Sequence, residues 1–145
     1  MTEATMGARW MGKDTTEIST GKLWTGRVIA WLVSLFLLFD AAMKFVQPKP
    51  VVDSFVQTGW PIAVSSALGA VLLISTILYL IPRTAILGAI LLTGYLGGAV
   101  AANVRLLNPL FSHTLFPVYF GVLVWGSLWL RDPQLKEIVP LRQSR

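Results

Sequence analysis

Residues 91–126, LLTGYLGGAVAANVRLLNPLFSHTLFPVYFGVLVWG, hold two apolar runs around a short polar connection. With their flanks, the runs extend over 85–104 and 110–130, close to the ~20 residues a helix needs to cross a bilayer. The connection carries Asn103, Arg105, Asn108 and His113, the chain's single histidine. Working outward, a third apolar run covers 61–81 and a fourth, weaker one covers 28–46, where Asp40 and Lys44 interrupt it. A long stretch precedes residue 28 and no small-residue cleavage site follows, so this run reads as a span rather than a signal peptide. The pattern predicts an all-α, four-helix transmembrane bundle over 23–131, between a flexible tail at 1–22 and a short tail at 132–145.

Composition supports that class. Of 145 residues, 54% are hydrophobic and 13% charged, against about 25% charged in ordinary soluble domains. The net charge of +5 does not point to nucleic acid, because the basic residues sit at segment ends and not on a face with stacking aromatics. They sort by topology instead. Four spans put both termini and the 82–84 turn on one side with Arg9, Lys13, Lys22, Arg27, Arg83, Arg131, Lys136, Arg142 and Arg145. The other side has only Lys44, Lys49 and Arg105. The positive-inside rule then predicts cytoplasmic termini, with Trp24 and Trp129 near the inner interface and Trp60 near the outer one.

The absence of cysteine removes disulfides, thiol redox chemistry and iron–sulfur clusters from this chain. A single histidine cannot build bis-histidine haem or a multi-histidine metal centre within one copy. Electron transfer would need a bound organic cofactor or a partner.

The connections are short and proline-marked. Pro48 and Pro50 stop the first helix. Residues 51–59 suit an interfacial helix with Val51, Val52, Phe55 and Val56 on one side. Pro82-Arg83 makes a tight hairpin, and Asn108-Pro109 opens the last span.

Three sets of residues have chemical interest. Gly94, Gly98 and Ala102 recur every four residues beside Gly97 and Ala101, as in a helix-packing seam of a bundle or dimer, or a cofactor slot. Arg105 continues the Gly97–Ala101 row. Asp40 and Lys44 are a same-face i,i+4 pair, and Asp40 lies roughly 9 Å inside residue 46. An ionisable group at that depth marks either a ligand or proton site, or a pair that pins the helix. Finally, Pro117 deprives the His113 carbonyl of its helical donor, and imidazole is the side-chain type that exchanges protons near neutral pH. The topology gathers Asp40, Lys44, Asn103, Arg105 and His113 at the outer end. There they form the expected binding pocket for an anionic or carbonyl-bearing head.

The segments FLLFDAAMKFVQPKPVV, LYLIPRTAILGAILLTGYLGGAVAANVR and NPLFSHTLFPVYFGVLVWG resemble the DoxX-like family in order, spacing and hairpin. The resemblance implies a multi-pass protein of the bacterial inner membrane. The wider DoxX and DoxD group is linked to a thiosulfate:quinone oxidoreductase subunit and to assemblies that handle redox stress. By that resemblance the chain is expected to be a membrane subunit or quinone-like ligand-binding protein beside an oxidoreductase. It brings no matched catalytic motif, and the missing cysteines fit poorly with thiol-based versions of that chemistry. Two other roles fit the residues: a scaffold or assembly factor, acting as a homodimer or on a partner through the glycine seam, and a small-solute transporter.

Overall fold

The computed structural model describes residues 19–138; the expected tails at 1–18 and 139–145 lie outside them. Helix α1 runs Thr20–Val46, α2 Lys49–Thr58, α3 Ala63–Leu80 and α4 Ala85–Arg105. A π-helical turn spans Leu110–Thr114, followed by α5 at Phe116–Arg131 and α6 at Pro133–Ile138. Four helical stretches are long and apolar enough to cross a membrane: Thr20–Val46, Ala63–Leu80, Ala85–Arg105 and Leu110–Arg131.

These helices close into a ring, with α1 packed on α3 and α5, and α4 packed on the same two. The buried stripe of α1 is Gly26, Ala30, Val33, Ser34, Leu37 and Ala41, a spacing of three and four that keeps one helix face inward. Leu72, Tyr79, Leu92, Val124 and Leu128 complete the core from the other helices. Much of the outer surface is apolar, including Trp31, Leu32, Leu35, Phe39, Ile74, Ile90 and Val122. A soluble monomer does not expose so continuous an apolar surface; here it is the face that meets lipid.

Helix α1 begins at Thr20, eight positions before the apolar run expected at 28. Its first turns are held by packing: a Cβ on Gly26 would stand 2.9 Å from both Leu130 Cβ and the Ser127 carbonyl oxygen. The chain also does not leave the bundle at 132. Helix α6 turns back, and Leu135 is buried in the core.

The closest helix contacts fall at Gly26, Gly69 and Gly88. At Gly69 a Cβ would meet Lys44 Cβ at 3.0 Å, and at Gly88 it would run into the backbone of Tyr79. Around Tyr79 the 82–84 end is locked. Its hydroxyl donates to the Val124 carbonyl at 3.2 Å and pairs with Ser127. Arg131 stacks over the Tyr79 ring at 4.7 Å and donates to its carbonyl at 3.2 Å. The other end of the ring contains Asp40, Lys44, Asn103 and His113.

Candidate functional site

At the Lys44 end, Asp40 and Lys44 project from the last turns of α1. The Lys44 backbone is fixed from α3, where Ser65 Oγ donates to the Lys44 carbonyl at 2.9 Å. From α4 come Tyr95, Ala99 and Asn103, four residues apart and so on one face. The segment before α5 supplies Ser112 and His113. Here Pro109 has no amide proton, and its carbonyl accepts from both His113 N at 3.1 Å and Thr114 N at 3.2 Å. Pro117 offers His113 no donor, so the wide turn ends at Thr114 and the α-ladder restarts at Phe116. The last span, read from the sequence as one run over 110–130, is therefore broken into a π turn and a helix. Such wide turns occur frequently at functional sites.

These elements enclose a cavity of about 390 Å³ lined by Asp40, Lys44, Ser54, Tyr95, Asn103, Ser112 and His113 on its polar side. Phe36, Phe116 and Phe120 line the apolar side. Their ring centroids lie 4.7 Å (Phe36–Phe120), 5.1 Å (Phe116–Phe120) and 5.9 Å (Phe36–Phe116) apart, within the range of favourable aromatic contact.

The polar groups are oriented by one another. Lys44 Nζ donates to Asp40 Oδ2 at 2.6 Å and lies 5.9 Å from the centre of the Tyr95 ring. The ammonium side chain is 14% exposed and the carboxylate side chain 38%, so the anion is the more accessible partner. Asn103 Nδ2 donates to the Ala99 carbonyl at 2.9 Å, and Asn103 Oδ1 accepts from Asn108 Nδ2 at 2.8 Å. Ser112 Oγ bonds His113 Nδ1 at 2.7 Å.

Four of the five expected binding residues, Asp40, Lys44, Asn103 and His113, thus share one cavity. Arg105 does not join them. It is exposed, and its guanidinium lies beside Gly59, 3.6 Å from where a Cβ there would be. The reason is helical geometry: two residues advance about 200° around an α-helix, so the face that brings Asn103 inward turns Arg105 away.

The glycine rows also differ from the expected seam. Among the described residues, no atom outside α4 lies within 4 Å of a Cβ placed on Gly94, Gly97 or Gly98, so they do not pack against another of the described helices. Gly94, Gly98 and Ala102 line a second cavity, of about 440 Å³, beside Phe55 and Trp60. Lys44, Ser54, Tyr95, Ala99 and Asn103 form the wall it shares with the first. Gly97 lies on the other side, in an apolar groove between α4 and α5, while Ala101 is exposed.

Sequence reasoning missed Tyr95 and the three phenylalanines. The four-residue spacing of 95, 99 and 103 was the available signal for Tyr95. The phenylalanines carried none, since phenylalanine on an apolar helix faces lipid as readily as a cavity. Residues expected as an interfacial helix form α2, in which Phe55 is buried and Val56 is 73% exposed.

The model of the DoxX-like family matches residues 28–127. The chain belongs to the DoxX-like family. No curated protein and no solved structure matches it. The matched span of this DoxX-like protein contains all the cavity residues named above. With four membrane-length helices, this DoxX-like chain is a multi-pass membrane protein.

Proposed function

We propose that the cavity at the Lys44 end holds the head of a small, quinone-like amphipathic ligand, and that the protein serves as a binding subunit beside a membrane oxidoreductase. The observation that carries this is the meeting of Lys44, Asn103 and His113 with the wall of Phe36, Phe116 and Phe120. Lys44 Nζ supplies donors to a carbonyl oxygen, since an ammonium has three and Asp40 takes one. His113 supplies a group able to exchange a proton, and the phenyl rings cover a planar apolar face. A DoxX-like membrane protein with this site suits the bacterial inner membrane. The distribution of lysine and arginine favours cytoplasmic termini and a cavity opening outward.

Mass spectrometry of protein purified gently from its membrane tests the reading. A retained quinone, lost in Lys44→Met and His113→Ala, is the expected result. Wild-type protein that also binds no added short-chain quinone would overturn it.

The scaffold reading is favoured by one observation, the open faces at Gly94, Gly97 and Gly98. In lipid, such faces admit a close helix from a second copy or another protein. A complex lost in Gly98→Leu, with ligand binding unaffected by Lys44→Met, would favour it.

A further inference from the structure

We infer that Asp40 is the specificity-determining residue of the cavity, excluding anionic amphiphiles by occupying the ammonium of Lys44. The inference rests on the proposed ligand site and adds the class of head group admitted: uncharged, aromatic and bearing an acceptor oxygen.

The ionisable side chains lining the cavity are Asp40, Lys44, Tyr95 and His113. Asp40 and Lys44 cancel in formal charge across 2.6 Å. The carboxylate lies against the cation and is the more exposed of the two, so a carboxylate or phosphate drawn to Lys44 is also repelled by Asp40. Repulsion between like charges is strong where water is scarce. The selection matters because amphiphiles with a carboxylate or phosphate head make charge-assisted hydrogen bonds to a free ammonium. An unpaired Lys44 would capture them. Arg105, held beside Gly59 outside the cavity, adds no second cation to attract them. A neutral ring oxygen meets no such repulsion and still finds free donors on Lys44, with the phenylalanine wall to stack on.

The test uses full-length protein in nanodiscs of zwitterionic lipid, with two probes: a short-chain alkyl naphthoquinone and decanoate. Wild type should bind the quinone and leave decanoate unbound. Asp40→Asn should gain decanoate binding by about tenfold or more, the scale of one charge-assisted hydrogen bond. Asp40→Glu should not gain it, and Asp40→Asn combined with Lys44→Gln should lose it again. Helical circular dichroism and a single size-exclusion peak identify folded variants. If Asp40→Asn does not fold, wild type decides, because decanoate binding as tight as quinone binding overturns the filter. Equal decanoate affinity in wild type and Asp40→Asn overturns it too. Decanoate binding gained by Asp40→Asn while wild type binds neither probe would uphold the filter and sink the quinone-like reading instead.

Discussion

Replacing Gly88 with alanine should destabilise the bundle, while the same change at Gly94 or Gly98 should not. A Cβ on Gly88 would stand 2.5 Å from Tyr79 Cα and 2.7 Å from the Leu78 carbonyl carbon. Carbon atoms in good contact are about 3.5–4.0 Å apart, so α3 and α4 must separate by about 1 Å. The obstacle is backbone, and no side-chain rotation relieves it. Overpacking of this kind costs about 1–3 kcal/mol. The displacement also carries Tyr79, whose hydroxyl reaches Val124 and whose carbonyl receives Arg131, both at 3.2 Å. Weakening those two bonds adds about 1 kcal/mol each, for a total of about 3–5 kcal/mol. At Gly94 and Gly98 a Cβ meets nothing within 4 Å. There alanine, the better helix former by about 1 kcal/mol, should leave stability unchanged or slightly higher. Thermal unfolding of ligand-free, monomeric protein in detergent, followed by circular dichroism, gives the comparison. A Gly88→Ala protein that unfolds with wild type, or a Gly94→Ala protein as weakened as Gly88→Ala, would refute the assignment of which glycines pack.

Tyr79→Phe should lower stability by about 1–2 kcal/mol in the same measurement, because the Val124 carbonyl and Ser127 hydroxyl lose a buried partner. Phe116→Ala should weaken binding of the naphthoquinone probe about threefold to tenfold, the worth of an aromatic pair. The melting temperature should hardly move, since Phe116 is 44% exposed; equal affinity would remove the phenyl wall from the site. Topology can be tested directly because the chain has no cysteine of its own. In intact cells a membrane-impermeant maleimide should label Gln57→Cys and spare Arg83→Cys, and the reverse pattern would invert the proposed orientation.

The number of spans and the polar end were legible because they rest on quantities that a sequence carries. Apolar length sets the spans, and charges within them are few enough to stand out. Which side of a helix meets a neighbour was less legible. Gly94 and Gly98 sit four apart, as packing glycines do, whereas Gly26, Gly69 and Gly88 are isolated on three different helices. The isolated ones make the close contacts because each faces a neighbour's backbone or Cβ, a relation between distant parts of the chain that local spacing does not encode. Arg105 was misplaced for a related reason. Its continuity with Gly97 and Ala101 is real, but that row faces away from Asn103. The cluster at the 82–84 end also escapes local spacing. Tyr79, Ser127 and Arg131 meet there only after the hairpin and the α5 contact have formed.

The backbone explains why the polar cavity opens at the Lys44 end. At the 82–84 end, α3 and α4 are joined by a short turn, with Thr84 Oγ1 bonded to the Leu78 carbonyl at 2.8 Å, and Gly88 holds the helices together. At the Lys44 end the chain turns through left-handed conformations at Gln47, Gly59 and Leu107 and then through the π turn at Leu110–Thr114. Pro48, Pro50, Pro61, Pro109 and Pro117 all belong to these passages. Interrupted helices leave carbonyls without helical donors, which at membrane depth is tolerated only inside protein or beside a polar space. Here the interruption between the π turn and α5 borders the cavity through Ser112, His113 and Pro117. The cavity thus lies between the broken span and the polar groups of α1 and α4. Restoring the ladder with Pro117→Leu should narrow that space and weaken probe binding while leaving the 82–84 end intact. An unchanged affinity would mean that the broken helix does not shape the site.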